Sequence, residues 1–434
     1  MKQLGPRRHL LARPQGAELE VSGDHPDRPS FSQVEKDLLK EDEEDPVTLL
    51  SLLMSAVSLF SYTNDIVSSA VVCYMLYGKW WWWVSLVPLC LSLLVVNIFS
   101  IRWYIHDLYE QKDHLLPASG SHWIIRLTFH VTLLGPIIRY AELFLYGLHA
   151  VDKKDPNREQ FVLLFLQEDR DTALLSLVGS FIKSSPLLVL QMYILTQNRI
   201  PIDDSTTRAQ AVSLVSSLVE LSLSQCSYHR ALRRSTPLKH NMTRLGALVQ
   251  FLSHCCVIAS RVLALAAFAS EYRSWMLVVV ACHWLLMSFW LVVQSTDVCA
   301  TATGRPRLLE ELVFNFVVGV IYIFCFVNVK DEPTRWKYTF YYFIIWIENI
   351  TLSTLWFIKA DPDLWFRIPL LSVVMVSLLA GLLLLGAYYK FLHPNKIWQK
   401  LQVVRAAYIT SAAQRRKRSA SITESGRLSP ISDE

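Results

Sequence analysis

Long apolar runs joined by short polar segments dominate the chain. Ten such stretches follow a polar start, at residues 47–76, 81–105, 123–148, 172–196, 209–227, 245–269, 274–294, 311–329, 338–358 and 366–390. A helix crosses the hydrocarbon core with about 20 mainly apolar residues, and most stretches reach that length. The pattern therefore predicts an all-α polytopic membrane domain with about eight to ten crossings. Two stretches fit poorly. Residues 123–148 hold Arg126, Gly135, Pro136, Arg139 and Glu142, and 311–329 is short with Asn315 inside. Each reads as a re-entrant segment, which lipid-depth backbone allows only under protein cover.

The flanks differ from this core. Residues 1–46 are polar, carry five prolines and an acidic run Glu41–Asp45, and read as a disordered tail. Residues 395–434 read as a basic, disordered tail, leaving 47–394 as the membrane domain. The chain starts without an apolar signal-like run, so an internal stretch is expected to direct insertion. Arg230, Arg233, Arg234, Lys239 and Arg244 fill one short loop, and Arg415, Arg416, Lys417 and Arg418 lie in the C-terminal tail. Basic loops face the cytoplasm, so with an even number of crossings both termini are expected there. The sequon at Asn241 then faces the wrong side, and that at Asn349 lies inside a stretch. Four tryptophans at 80–83 read as an interfacial belt, with a ligand surface as the other possibility.

Composition agrees with a bilayer. The chain is 52% hydrophobic and 18% charged, against about a quarter charged in soluble domains. A net charge of +5 makes no case for nucleic acid. The eight cysteines lack metal spacing and read as packed core residues. No phosphate loop, dinucleotide fingerprint, zinc-protease or nucleophile-elbow motif is present, so neither covalent catalysis nor a cofactor is expected.

Charges inside the apolar stretches are the remaining lead: Asp65, Arg102, Arg139, Glu142, Lys183, Arg261, Asp297 and Glu348. A charge at bilayer depth costs about 3 kcal/mol or more on insertion scales. Such residues are paired struts or parts of a polar conduit; those at stretch ends, Arg102 and Asp297, can snorkel. Ser184-Ser185-Pro186 is expected to break the fourth stretch, because proline lacks a backbone donor.

Several strings carry a family resemblance. They are Phe60–Asp65, Phe99–Trp103, Gly135–Tyr140, Ser184–Pro186, Ser227–Leu232, Ser260–Ala264, Thr296-Asp297, Tyr322–Glu332, Ile347–Asn349 and Phe391–Pro394. In this order they resemble the XK-related (XK/Kell-associated) family of multi-pass membrane proteins. The resemblance implies about eight transmembrane helices plus two re-entrant ones, in two similar halves. By position, the third and eighth stretches are the re-entrant ones. It also implies an energy-independent phospholipid scramblase of the plasma membrane, activated by a caspase and exposing phosphatidylserine in apoptosis. Implied partners are phospholipids, a single-span immunoglobulin-like subunit and a lipid-transfer protein.

Within that resemblance Asp65, Arg230, Arg261 and Glu348 match charged family positions, and Lys183 joins them as a headgroup contact. Where the best-known scrambling members carry acids, this chain has Ser61, Gly179, Lys183 and Ser227. Asp24, in Val21-Ser-Gly-Asp24, is the candidate caspase site. Two other readings stand beside this one. The first is a non-transporting scaffold that recruits a bridge-type lipid-transfer protein, and the second is a secondary solute transporter.

Overall fold

The computed structural model describes residues 47–75, 77–78, 82–110, 120–197, 205–235, 242–294, 308–329 and 335–392. Both tails, Asp24, Asp297 and the first half of the tryptophan run lie outside the described residues. Eleven α-helices occur among the described residues: α1 (Leu49–Met75), α2 (Trp82–Glu110), α3 (Gly120–Val131), α4 (Gly135–Val151), α5 (Arg158–Gln197), α6 (Ser205–Arg234), α7 (Arg244–Tyr272), α8 (Trp275–Val293), α9 (Leu308–Tyr322), α10 (Arg335–Lys359) and α11 (Arg367–Ala387). A π-helical turn, Tyr388–Leu392, continues α11.

Seven of these helices are long and apolar enough to cross a membrane: α1, α2, α5, α7, α8, α10 and α11. Helix α6 has 30 residues, ample length, but is too polar to qualify on composition. Helices α3, α4 and α9 have 12, 17 and 15 residues. At 1.5 Å per residue none reaches the roughly 30 Å of a hydrocarbon core. The two stretches expected to be re-entrant are thus the two that form short helices.

Helix α5 is the hub, packing on α1, α2, α4, α6, α7 and α9. Its apolar window is 83% buried within the protein, against 12% for α1. Pro186 does not break it; α5 runs unbroken through that residue for 40 residues. The Ser185 hydroxyl donates to the Phe181 carbonyl one turn back (2.5 Å). Around α5 the core includes Phe181, Val257, Ile258, Phe314, Phe324 and Tyr341. Lipid is as apolar as leucine, so close packing and hydrogen bonds must supply helix adhesion. Helices α7 and α11 show how: the Ser253 and Ser260 hydroxyls donate to the Gly381 and Val374 carbonyls, each at 2.8 Å.

The two re-entrant elements share a design. A Cβ on Gly135, at the start of α4, would lie 2.5 Å from Asn97 Oδ1 on α2. A Cβ on Gly319, in α9, would collide with Ser288 on α8. In each half a glycine thus lets the short helix press on the spanning helix before it. The α3–α4 turn is the tighter one. Leu133 adopts φ 60°, a left-handed conformation usually left to glycine. Leu134 N–H donates to the Phe129 carbonyl (2.7 Å) and Leu133 N–H to that of His130 (3.1 Å), closing α3. Asn97 holds both sides of the turn, donating to the Leu133 carbonyl (3.0 Å) and accepting from Gly135 N–H (2.9 Å).

Candidate functional site

Among the described residues, the largest groupings of buried charge lie in three places. The first lies on the α3–α4 hairpin. Arg139, fully buried, donates to Glu168 Oε1 (2.8 Å), Ser100 Oγ (2.8 Å) and the Ser100 carbonyl (3.0 Å). Its guanidinium stacks on Tyr104, 4.0 Å from the ring centre. His130 meets the same Ser100 hydroxyl at 2.8 Å. Arg126 pairs with Glu142 (2.7 Å), which also accepts from the Tyr104 hydroxyl (2.9 Å).

The second surrounds Arg261 on α7, also fully buried. Each guanidinium nitrogen ends on an acceptor: Nε on the Ile323 carbonyl (3.0 Å), Nη1 on Asn349 Oδ1 (3.0 Å), Nη2 on Glu348 Oε2 (2.6 Å). His283 on α8 contacts both Glu348 oxygens at 2.8 and 2.9 Å, and the Tyr322 carbonyl at 3.0 Å. Asn349 is fully buried and donates to Ser260, so its amide is committed to the core, where no glycan fits.

This cluster serves a break in helix geometry. Chain 323–329, after α9, is not helical, and most of it is buried. Its carbonyls therefore need side-chain partners. The Tyr341 hydroxyl donates to the Tyr322 carbonyl (2.7 Å) and Gln225 to that of Phe326 (2.9 Å). The Tyr322 and Tyr228 hydroxyls donate to the carbonyls of Val327 (2.6 Å) and Asn328 (3.3 Å). Helices α6, α7 and α9 thus contribute donors to this short irregular segment, and α8 and α10 contact the Tyr322 carbonyl at its edge.

The third place is the α5–α6 interface, a seam of polar side chains running the length of both helices. At one end Asp169 pairs with Arg234 (3.3 Å), and Arg230 adds its field there. In the middle Lys183, 3% exposed, lies in the field of Glu220. Ser184 donates to Glu220 Oε2 (3.3 Å) and Ser180 bonds the same carboxylate. Farther along, Gln191 donates to Ser213 (3.3 Å). Unlike the Arg261 cluster, the seam is unsaturated: Glu220 Oε1 and Gln191 Oε1 are buried without a hydrogen-bond partner.

The residues singled out from sequence therefore separate. Lys183 and Arg230 belong to the seam, whereas Arg261 and Glu348 form one cluster beside the irregular segment. Asp65 is on α1, which packs on α2, α4 and α5; its side chain lies outside the described residues. Arg102 does more than snorkel, since it pairs with Glu310 at the start of α9. Gly179, where scrambling relatives were expected to carry an acid, is a contact point: its Cβ would lie 3.1 Å from Val96, and Ser92 donates to its carbonyl (2.8 Å). A family model described as XK-related protein matches residues 53–394, most of the chain. The chain belongs to the XK-related family.

In this XK-related protein Glu168, Asp169, Glu220 and His283 carry roles that the sequence reading passed over. Glu220 interrupts an apolar stretch and was detectable by the rule that found Lys183. Glu168 and Asp169 precede the apolar stretch, yet α5 starts ten or more residues earlier at Arg158 and brings them inside. Two further histidines meet between helices. His229 and His254 face each other from α6 and α7, with ring centres 5.9 Å apart. Each lies one helical turn beyond a glutamine, Gln225 and Gln250, and both glutamines contact His229.

Proposed function

We propose that this XK-related protein is an energy-independent phospholipid scramblase of the plasma membrane, activated by a caspase and exposing phosphatidylserine. The α5–α6 seam is the headgroup path in this reading. A lipid flips slowly because its charged headgroup must cross hydrocarbon. A seam with cations at one end, a Lys–Glu pair in the middle and serines between lowers that barrier by charge-assisted hydrogen bonds. Lys183 and Arg230 take the phosphate, Glu220 takes an amine, and the acyl tails stay in the bilayer. The observation carrying the reading is the unpartnered buried oxygen of Glu220, acceptor capacity at mid-helix that the protein itself does not use.

Lys183 is nearly sealed, so α5 and α6 must part for a headgroup to enter. A protein held off until a tail is cut requires such a seal, and Asp24 is the proposed cleavage position. The seal also fits the scaffold reading, in which the protein transports nothing and recruits a bridge-type lipid-transfer protein. Purified full-length protein in vesicles with fluorescent lipid, treated with dithionite before and after caspase, separates the two. Scrambling predicts caspase-dependent loss of inner-leaflet fluorescence, blocked by Asp24→Ala; the scaffold reading predicts that it stays protected.

A further inference from the structure

The molecule has a groove that none of the three charge clusters touches. It lies between α10 and the end of α11, has a volume of about 790 Å³, and is lined by Tyr338, Tyr342, Phe343 and Trp346 on one wall and by Gly386 and Lys390 on the other. We infer that this groove binds an acyl chain of an anionic phospholipid, with the phosphate at Lys390.

Four observations point to that occupant. Both walls are membrane-spanning helices, so the groove meets lipid. Its lining is mainly apolar and aromatic. A peptide laid there would find few partners for its backbone amides, whereas a hydrocarbon chain needs none. The sole charge in the lining is Lys390, on the π-helical turn, and its ammonium has no ion-pair partner among the described residues. It rests 5.1 Å from the Phe391 ring centre. A cation in the lining of an apolar groove between spanning helices suits an anionic headgroup. Finally, a Cβ on Gly386 would meet nothing within 4 Å, so the space beside this wall is open.

The site shares no residue with the α5–α6 seam, and its test does not depend on transport. The full chain is placed in phosphatidylcholine vesicles with a phosphatidylserine probe carrying a diazirine in its acyl chain, or with the matching phosphatidylcholine probe. After photolysis, adducts are mapped by peptide mass spectrometry. Adducts are expected on peptides spanning 338–346 and 382–390 in excess over the lipid-facing helix α8. Lys390→Gln should lower the phosphatidylserine yield there about fivefold and leave the phosphatidylcholine yield unchanged. Gly386→Phe should remove groove adducts from both probes and spare those on α8. If that variant does not fold, Lys390→Gln decides alone. Even labelling of α8 and the groove, indifferent to Lys390, overturns the inference. So does groove labelling that appears only after removal of residues 396–434, which would make the chain's own tail the occupant.

Discussion

At Arg261 every guanidinium nitrogen ends on an acceptor, and His283 contacts both oxygens of the carboxylate it binds. At Lys183 the neighbouring Glu220 carboxylate keeps one oxygen buried and unpartnered, and the Ser184 bond to its other oxygen is long at 3.3 Å. Both sites place a cation and a carboxylate inside the helix bundle, yet only the first is complete. In the proposed function the difference separates two roles. A saturated cluster over non-helical backbone is a strut, since its bonds replace those that a helix would have made. An unsaturated seam at a helix interface has capacity left for a passing headgroup.

The widest separation between the two sites is expected on removing Arg261. Arg261→Met strands the Ile323 carbonyl and takes the arginine from Glu348, at a cost of about 3–5 kcal/mol. The folded yield by fluorescence-detected size exclusion should collapse. Loss of scrambling with full folded yield would instead place Arg261 on the path. Asn97→Ala comes next: it removes two hydrogen bonds that bracket a left-handed leucine, and thermal unfolding in detergent should report about 2–3 kcal/mol.

Lys183→Met should act on rate rather than on folding. The caspase-activated scrambling rate is expected to fall about tenfold or more, which is about 1.4 kcal/mol or more in barrier height. Its elution profile should match the wild type. The smallest effect belongs to Tyr228→Phe, which loses one long bond to the Asn328 carbonyl. A change of about 1 kcal/mol or less in unfolding, with scrambling intact, is expected. A large scrambling defect there would blur the boundary between strut and path.

Hydropathy alone exposed much of the architecture. The apolar runs match the seven spanning helices, and the polar content of 123–148 and Asn315 in 311–329 marked the segments that do not span. What stayed hidden follows from geometry at long range. Nothing local says that Ile323 lacks a helical partner, so the purpose of an arginine 62 residues earlier could not be read. Pro186 looked like a break because local donor loss was weighed without the packing that surrounds α5 on many sides. The charge list itself was legible from a simple rule, but grouping it was not. Asp65, Lys183, Arg230, Arg261 and Glu348 looked like one set until the helices sorted them.

The central claim is that the seam conducts and the Arg261 cluster supports. Dithionite bleaching of caspase-treated vesicles tests it most directly when the Lys183→Met protein is compared with wild type at equal, correctly folded protein per vesicle. The account predicts that wild type bleaches beyond the outer-leaflet plateau while Lys183→Met remains near it. Bleaching of Lys183→Met at the wild-type rate would contradict it.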